Sequence, residues 1–455
     1  MRKRLVVFCS AFLAVFGMSA VPGAKAVGPS TATLTGDSNG ESWGPALSND
    51  GRYLAFVSTA GDLIGGDPAN DPNGFADVFL VDTVAGTIRL VSYDRTGGQP
   101  ANGPSDNVDI SGDGRFVVFE TSASNIVPQD GNAASDVVRF DTADGSTALV
   151  SRKGPAGAQG DGNSVAPSIS NDGRYVTFAS HAQNLVGSDT NSRTDIFLKD
   201  MLMGPISRVS TDSSGQQSNG ASDDAEIAPG GGFVAFSSIA SNLLATDSNG
   251  RIRDVFLKNL TSGKTTLVSQ KTNGTQANNA SSVGGISGDG KFIAFQSFAT
   301  NLAGRDSNNH GDVFLRDRTA GTTVRVSKVG STQGNNESLG PSVSDDGSVV
   351  TFQTWATNLV PGPDGNGPLA DVLEYSVSTS ALTRVSVDAE GGWTDGSSYS
   401  AAPSADATTI AFVSQGTDLV EGDANGVADI FAHTWTNATR TTWTLERWSV
   451  ELPAA

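Results

Sequence analysis

The stretch Pro167-Ser-Ile-Ser-Asn-Asp-Gly-Arg-Tyr-Val-Thr-Phe178 contains two short apolar segments separated by Asn171-Asp-Gly173. An Asp-Gly pair between two such segments is typical of a β-hairpin, because glycine accepts the positive φ that tight turns require. The second segment, Arg174–Phe178, has apolar residues on both faces, which is typical of a sheet packed between two others. The stretch therefore predicts two adjacent antiparallel strands in a layered β-structure.

The surrounding sequence repeats this unit seven times. The aspartate that begins the next strand recurs at intervals of 58 or 59 residues, at Asp77, Asp136, Asp195, Asp254, Asp312, Asp371 and Asp429. A Ser or Thr lies fifteen residues after each aspartate, at Ser92, Ser151, Ser210, Ser269, Ser327, Ser386 and Thr444. The strand before the aspartate ends in Phe56, Phe119, Phe178, Phe236, Phe295, Phe352 or Phe412. An Asn or Asp lies six residues after each phenylalanine, at Asp62, Asn125, Asn184, Asn242, Asn301, Asn358 and Asp418. Four matching positions in seven units indicate a repeat protein.

Each repeat predicts four short strands, which we call a to d in chain order. In the third repeat they are Pro167–Ser170, Arg174–Phe178, Asp195–Lys199 and Ile206–Ser210. No stretch has a 3.6-residue apolar periodicity over the length of a helix. We therefore expect an all-β fold, a seven-bladed β-propeller of four-stranded antiparallel blades over residues 43–444. A linear β-solenoid is the alternative, but its parallel coils would not need the Asp-Gly hairpins.

The first 26 residues have the features of a secretion signal peptide. Arg2-Lys-Arg4 is a basic start, Leu5–Ala20 is an apolar run too short for a membrane span, and Ala24-Lys-Ala26 fits a cleavage site. Cleavage would remove four basic residues and no acidic one, changing the net charge from −19 to −23, and would remove Cys9, the single cysteine. We therefore expect a secreted or periplasmic protein without disulfides. A retained N-terminal anchor is the alternative.

Residues 27–42 form a short N-terminal segment before the first repeat. Within it, Thr31-Ala-Thr-Leu-Thr35 precedes the first strand a as strands d precede the later ones. We predict that this segment docks on blade 7 as a closing strand. Residues 445–455 are expected to be a C-terminal tail.

The repeat resembles the TolB-type (WD40-like) propeller repeat, through motifs such as Ser170-Asn-Asp-Gly-Arg-Tyr-Val-Thr-Phe178. The resemblance spans roughly residues 43–444 and implies a stand-alone propeller, used in that family largely as a binding scaffold. It does not extend to the additional α/β domain of TolB or to the hydrolase domain of prolyl oligopeptidases. Blades 4 and 7 depart from the Asp-Gly turn, with Gly230-Gly-Gly232 and Asp406-Ala-Thr408. We expect these turns to be altered without loss of the fold.

The long b–c and d–a loops are expected on one face of the ring, where functional residues usually lie. The b–c loops share an Asp-x-Asn pattern that ends at the first aspartate of strand c. Its members are Asp71/Asn73/Asp77, Asp130/Asn132/Asp136, Asp189/Asn191/Asp195, Asp247/Asn249/Asp254, Asp306/Asn308/Asp312, Asp364/Asn366/Asp371 and Asp423/Asn425/Asp429. Three oxygen ligands resemble a shortened calcium loop, although Ca²⁺ takes six to eight oxygens. The alternative is structural, because Asp and Asn side chains also bond to nearby backbone amides in Asx turns.

Large aromatic residues interrupt the repeat near blades 6, 7 and 1. Trp393 replaces a recurrent glutamine, while Tyr399 and Trp43 occupy a position that is usually small or polar. Trp355 is a further candidate for the same sector. These side chains form a candidate binding site for a neutral or cationic glycan or for an apolar patch of a protein. Simple packing at the seam between the first and last blades is the alternative.

Composition excludes several classes of function. A net charge of −19 argues against nucleic acid and against an anionic membrane surface, and a Cys-free mature chain excludes thiolate chemistry. The three histidines lie in alternate blades, which argues against a His-rich metal site, and no catalytic residue can be assigned. We therefore expect a monomeric binding module for a protein or glycan partner. An extracellular hydrolase or lyase acting on a polysaccharide or a lactone is the alternative, because a pair of carboxylates facing the channel would suffice for such chemistry.

Overall fold

The computed structural model describes residues 38–64, 73–94, 99–128, 130–154, 157–362 and 364–450. The described residues belong to one compact unit. The predicted signal peptide and the predicted closing strand Thr31–Thr35 lie outside the described residues. Within the described ranges, no helix could cross a lipid bilayer.

Seven antiparallel sheets of four strands each follow one another along the chain. Blades 1 and 2 consist of β1 (Ser42–Leu47), β2 (Tyr53–Ser58), β3 (Asp77–Asp82), β4 (Thr87–Leu90), β5 (Ser105–Ile110), β6 (Phe116–Thr121), β7 (Asp136–Asp141) and β8 (Thr147–Leu149). Blades 3 and 4 consist of β9 (Ser164–Ile169), β10 (Tyr175–Ser180), β11 (Asp195–Asp200), β12 (Ile206–Arg208), β13 (Ser222–Ile227), β14 (Phe233–Ser238), β15 (Asp254–Asn259) and β16 (Thr265–Leu267).

Blade 5 consists of β17 (Ser281–Ile286), β18 (Phe292–Ser297), β19 (Asp312–Asp317) and β20 (Thr322–Arg325), and is followed by a small hairpin of β21 (Lys328–Val329) and β22 (Thr332–Gln333). Blades 6 and 7 consist of β23 (Ser338–Val343), β24 (Val349–Thr354), β25 (Asp371–Ser376), β26 (Leu382–Arg384), β27 (Ser398–Pro403), β28 (Thr409–Ser414), β29 (Asp429–Trp435) and β30 (Trp443–Arg447). The predicted all-β, seven-bladed β-propeller is confirmed.

Strands b and c carry the core of each blade. The phenylalanine of strand b faces a phenylalanine of strand c in five blades, with ring centroids 5.6–6.0 Å apart. Because these strands are apolar on both faces, seven hydrophobic clusters form, one at each seam between neighbouring blades. The cluster between blades 7 and 1 contains Phe56, Val413 and Trp448. The ring is thus held by the same apolar contact at every seam.

The geometry of the a–b turns explains why most repeats have a glycine after the aspartate. Gly173 has φ 68°, and a Cβ there would lie 2.1 Å from the ring of Phe116 in the preceding blade. In blade 4 the altered turn keeps a glycine at this place, Gly231 with φ 72°. In blade 7 Ala407 adopts φ 53° instead. Both turns are altered without loss of the fold, as expected.

Blade 7 differs from the sequence prediction in its outer strand. In the first six blades, the serine fifteen residues after the first aspartate of strand c donates its hydroxyl to that carboxylate, over 2.5 Å in the Ser92–Asp77 pair and 2.7 Å in the Ser210–Asp195 pair. In blade 7 this donor is Ser449, at 2.6 Å from Asp429, and not Thr444. The alignment of Thr444 with the serines was therefore wrong, because the connection between β29 and β30 is longer than in the other blades. Strand β30 runs past Thr444 to Arg447.

Candidate functional site: the central channel and its mouth

The seven inner strands surround a central cavity of about 630 Å³. In six of them the backbone is interrupted by a β-bulge at a residue with positive φ: Gly44, Asn107, Ala166, Asp224, Gly340 and Ser400. The residue two positions after each bulge, or its equivalent in blade 5, lines the cavity: Ala46, Asp109, Ser168, Glu226, Gly285, Ser342 and Ala402. Since bulges re-aim side chains next to functional sites, this layer is the first place to look for chemistry.

One end of the cavity is closed by the a–b turns. Their backbones form a ring of hydrogen bonds from blade to blade, including Asn49 N–H to Gly112 O (2.9 Å) and, at the closing seam, Ala405 N–H to Asn49 O (3.1 Å). Across this ring, Asn171 Nδ2 of blade 3 donates to Asp345 Oδ2 of blade 6 over 2.6 Å. The cavity therefore opens at the opposite end, where the bulge residues of blades 2, 4, 6 and 7 are exposed.

The cavity is acidic. Among the described residues, four carboxyl side chains line it, those of Asp109, Asp224, Glu226 and Asp345, and no Lys, Arg or His does. Burial raises the pKa of all four carboxyl groups, because the charged form loses hydration. A positive charge placed in this cavity would stabilise the charged form of these carboxylates, which burial disfavours.

Asp109, Ser168 and Glu226 form a compact acidic group, contributed by blades 2, 3 and 4. Asp109 Oδ2 accepts the backbone N–H of Ile169 at 2.8 Å, and its Oδ1 accepts that of Ile110 at 2.8 Å. Burial raises the pKa of Asp109 to about 6 in spite of these bonds. Burial and the neighbouring Asp109 raise the pKa of Glu226 to about 8. At neutral pH Glu226 therefore holds its proton, whereas Asp109 gives its proton up more readily.

The rim of the mouth has an acidic and an aromatic half. Asp223 and Asp224 of blade 4 lie on one side, where Asp224 is 3.0 Å from Arg253. Phe298, which is 42% exposed, and Leu339 lie on the blade 5 and blade 6 side, where both approach Gly311. A ligand here would meet Asp223 and Asp224, both paired with Arg253, on one side and apolar groups on the other.

The predicted aromatic sector is only partly assembled. Trp43 and Tyr399 pack in the cluster between blades 7 and 1, and Trp43 Nε1 donates to Asp106 at 3.0 Å. Trp393 instead packs under the guanidinium of Arg384, whose Cζ is 3.7 Å from the ring centroid. Trp355 follows β24 and is half-buried. Among the described residues, no ring contact joins Trp393 or Trp355 to Trp43 or Tyr399.

The asparagines of the Asp-x-Asn loops differ from the predicted calcium ligands. In every blade the asparagine Nδ2 donates to a backbone carbonyl of the segment that leads to the next blade, over 2.8–3.1 Å: Asn73 to Ala101, Asn132 to Gly160, Asn191 to Ser218, Asn249 to Ala277, Asn308 to Gly334, Asn366 to Thr394 and Asn425 to Ser38. A calcium ligand would be the amide oxygen and not the amide nitrogen.

The asparagine amide nitrogen also faces the first aspartate of strand c, which was the other candidate calcium ligand. Its distance to the carboxylate of strand c is 2.7 Å in the Asn73–Asp77 pair and 2.9 Å in both the Asn249–Asp254 and the Asn425–Asp429 pairs, and the nitrogen of Asn366 lies 3.3 Å from Asp371. At these four asparagines the amide nitrogen therefore faces the carboxylate. The Oδ1 of Asn132 accepts the backbone N–H of Ala134 at 2.9 Å. Calcium binding by these loops stays a prediction.

Asx turns account for much of the remaining polar bonding of these loops. The asparagine oxygen accepts the N–H two residues further on in five blades, as in the bonds of Asn73 with Phe75 at 2.7 Å and of Asn191 with Arg193 at 2.8 Å. In blades 4 and 6 the first aspartate of the loop accepts instead, from the N–H of Asn249 and of Asn366, at 3.1 Å in both. The structural alternative, Asx turns, is thus observed.

The carboxylates of these loops are bridged by the protein's own donors; Asp71 lies outside the described residues. In blade 3, Gln217 Nε2 lies 2.9 Å from Asp189 and 2.8 Å from Asp195, and Arg208 lies 3.2 Å from each. Glutamine or arginine makes the same bridge at Asp130/Asp136, Asp247/Asp254, Asp306/Asp312 and Asp423/Asp429. Within the described ranges, no three His, Cys, Asp or Glu side chains are placed to share a metal ion.

The three histidines lie apart from one another. His181 pairs with Thr194 Oγ1 at 2.9 Å, and His310 belongs to the b–c loop of blade 5, where its backbone N–H donates to Asn308. His433 is fully buried between Trp435 and Trp443. Among the described residues, His433 therefore has a packing role, and His181 bonds to a neighbouring hydroxyl.

Comparison with known proteins identifies the fold. No family model and no curated protein sequence matches the chain. A prolyl endopeptidase structure is 11% identical, over 90% of this chain and 50% of its own, with a TM-score of 0.55. The chain is a seven-bladed β-propeller. An oligogalacturonate lyase from Vibrio parahaemolyticus is 11% identical over 89% of this chain and 93% of its own, with a TM-score of 0.50.

TolB from Acinetobacter baumannii is 17% identical, over 74% of this chain and 64% of its own, with a TM-score of 0.42. The propeller therefore spans less than two thirds of the TolB and endopeptidase chains. Similarities at these identities show the fold alone. The propeller fold implied by the TolB-type resemblance is confirmed by the structure itself.

The sequence analysis considered a pair of carboxylates facing the channel but did not assign it to Asp109 and Glu226. Asp109 and Glu226 lie on inner strands, two residues after a bulge. A signal was present, since Ala46, Gly285 and Ala402 stand at the equivalent place in other repeats. Acidic residues that replace small ones at one repeat position would have indicated the site.

Proposed function

We propose that this chain is an exported binding propeller that receives a cationic group of its partner in the central channel. The single observation that supports this is the cavity of about 630 Å³, whose described lining has four carboxyl groups and no basic residue. A primary amine or guanidinium is the complementary chemistry, because it would form charge-assisted hydrogen bonds in a site of low dielectric. Export is supported by the signal features of residues 1–26.

The rim supports a partner larger than a simple ion. Phe298 and Leu339 offer apolar contact on one side, and Trp43 and Tyr399 extend it toward blade 1. Sugar rings and aliphatic stems both pack on such surfaces. A glycan with amino sugars, or a protein segment that presents Lys or Arg, fits this combination.

The test uses matched ligands that differ in charge. Glucosamine oligomers and lysine-containing peptides would be titrated calorimetrically against the protein, with N-acetylated forms of both as neutral controls. The double variant D109N/E226Q should weaken binding of the cationic ligands at least tenfold, equivalent to about 1.4 kcal/mol. Glu421→Gln is the matched control, because it removes one exposed carboxylate outside the cavity. Equal affinity for charged and acetylated ligands would contradict the proposal.

Catalysis is the second candidate, supported by the Asp109–Glu226 pair. Neighbouring carboxyl groups with pKa values near 6 and 8 are typical of an acid and a base in glycoside cleavage. In this case Glu226 would protonate the leaving oxygen and Asp109 would act as the base. Release of reducing or unsaturated ends from a polysaccharide panel, lost in E226Q and kept in E421Q, would support a hydrolase or lyase. Ligand binding without turnover would reject it.

A further inference from the structure

A second cavity lies in the outer part of the seam between blades 4 and 5. It has a volume of about 310 Å³ and is bounded by strands β15 and β16 on one side and by β18 and β19 on the other. In the part of the chain that the structure describes, three basic residues line it, Lys264, Arg316 and Arg318, and no acidic residue does. This composition is the reverse of that expected for a chain with a net charge of −19.

None of the three cations forms an ion pair with a carboxylate within the described residues. Arg316 Nη1 donates to the hydroxyl of Thr323 at 3.0 Å, and burial lowers the pKa of this guanidinium although Asp317 opposes the shift. The carboxylate of Asp317 forms an ion pair with Lys291 instead, at 3.8 Å.

The second arginine is held by ring stacking and by one backbone hydrogen bond. Arg318 stacks on the ring of Phe233 at 4.4 Å and donates its Nε to Gly290 O at 2.9 Å, which leaves its terminal nitrogens without a described partner. Lys264 is exposed, and its ammonium makes no described hydrogen bond. Several other arginines of the chain are paired with carboxylates, for example Arg52 with Asp82 at 2.6 Å.

The equivalent cavity between blades 1 and 2 has a different charge balance. Its volume is about 450 Å³, and its lining contains Arg89 and Arg115 but also Asp82 and Asp113. Arg115 pairs with Asp141 at 2.9 Å. The blade 4–5 cavity therefore has an excess of positive charge that the blade 1–2 cavity lacks.

We propose that the blade 4–5 cavity binds a phosphate or sulfate ester carried on a sugar-sized group. Arginine guanidinium and lysine ammonium groups are the usual partners of such oxyanions. The remaining lining suits the attached group, since Asn259, Ser262 and Gln270 offer hydrogen bonds beside the apolar side chains of Leu257 and Ile293. A volume of this size accommodates one small ligand. The site is independent of the channel and of the function proposed for it.

The experiment titrates the full chain calorimetrically at constant ionic strength with glucose 6-phosphate, glucose 6-sulfate, inorganic phosphate, inorganic sulfate and glucose. We expect saturable binding of one or both esters, at least fivefold weaker binding of the inorganic ions, and no binding of glucose. The ester that binds more tightly identifies the oxyanion. Inorganic ions that bind as tightly as the esters would overturn the sugar-sized part of the proposal.

Variants locate the site. Lys264→Gln and Arg318→Gln should each weaken ester binding by at least fivefold, while Arg89→Gln in the blade 1–2 cavity should leave it unchanged. Because Lys264 is exposed, K264Q should fold as the natural chain does, which its melting temperature would verify. Absence of saturable binding, or equal affinity in all four proteins, would overturn the proposal.

Discussion

At the scale of single residues, Glu226 determines how the channel responds to pH. Its folded pKa of about 8 lies above the ordinary value of 4.5, so the stability linked to its protonation is fully present below pH 4.5 and is lost as pH rises through 8. The E226Q variant cannot ionise at this position and therefore does not lose this stability as pH rises. We expect E226Q to be more stable than the natural chain at pH 9, by roughly 1–2 kcal/mol after allowance for water in the cavity. In thermal melts at pH 4 the difference in stability between E226Q and the natural chain should disappear. The control E421Q should not differ from the natural chain at either pH. A stability difference for E226Q that is the same at all pH values would contradict this origin.

His433 gives the opposite pH dependence. It is fully buried between Trp435 and Trp443, neither ring nitrogen has a hydrogen-bond partner, and burial lowers its pKa to about 4. A lowered histidine pKa costs stability as pH falls below the ordinary value of 6.5 and the unfolded state takes up the proton. His433→Phe keeps the ring packing and removes the titration. We expect H433F to raise the free energy of unfolding by about 2 kcal/mol at pH 4.5 and by less at pH 8. Parallel pH dependence of the two proteins in denaturant titrations would show that His433 is already protonated when folded.

At the scale of strands and turns, the bond between strand d and the first aspartate of strand c tests the repeat alignment. Ser449 donates to the buried Asp429 and also accepts the N–H of Ile430 at 2.8 Å, whereas the side chain of Thr444 makes no described hydrogen bond. Loss of a partner leaves a buried polar group unsatisfied and costs about 1–3 kcal/mol. We expect S449A to be as destabilising as S210A in blade 3, and T444A to have little effect. Melting temperatures of the three variants decide this, and a T444A loss as large as that of S449A would restore the original alignment.

The Asp-x-Asn loops give a prediction about metal. Because Gln217 and Arg208 already bridge Asp189 and Asp195, a calcium ion would have to displace these donors and turn the amide of Asn191. We therefore expect no change in melting temperature between chelator and millimolar Ca²⁺. An increase in stability with calcium would instead favour the metal interpretation, and would amount to about 2.7 kcal/mol at one hundred times the dissociation constant.

The repeat positions were predictable because they perform the same structural task in every blade. The asparagine six residues after each phenylalanine, for instance Asn242, accepts the N–H of Asn219 at 2.8 Å and so ties the segment before a blade to its b–c loop. The acids of the channel were not predictable by periodicity, because Asp109 and Glu226 each occur in a single blade. The register of blade 7 was missed because spacing alone cannot detect a longer connection between two strands.

Two further features of the site escaped the sequence for local reasons. Trp393 and Tyr399 make no described ring contact, because residues that are neighbours in sequence at a loop end need not pack together. The asparagines of the b–c loops were candidates for calcium because a sequence shows that an amide is present but not which of its two ends faces the carboxylate. In the structure that end is the nitrogen, as the 2.9 Å contact between Asn425 and Asp429 illustrates.

At the scale of the whole molecule, the question is how the ring is closed. Within the described residues, blade 7 contains four strands from the C-terminal part of the chain, so no strand exchange is seen in its sheet. Closure instead rests on the side chains and backbone that join blade 7 to the start of blade 1. Ser38 donates to Asp429 at 3.2 Å, Ser42 N–H donates to Ala428 O at 2.7 Å, and the buried Trp448 packs in the cluster that contains Phe56.

This closure makes the contribution of the N-terminal segment measurable. Deletion of residues 27–36 leaves Ser38 and Ser42 in place, so any loss of melting temperature reports on the predicted docking of Thr31–Thr35 on blade 7. We expect a loss, since a segment that covers the last seam would remove apolar surface from water. Trp448→Ala serves as the reference for an opened seam, because truncation of a buried tryptophan costs about 3–5 kcal/mol. The docked strand would be rejected if the deletion variant melts like the full mature chain while W448A melts at a much lower temperature. Closure would then rest entirely on residues 38–42 and Trp448.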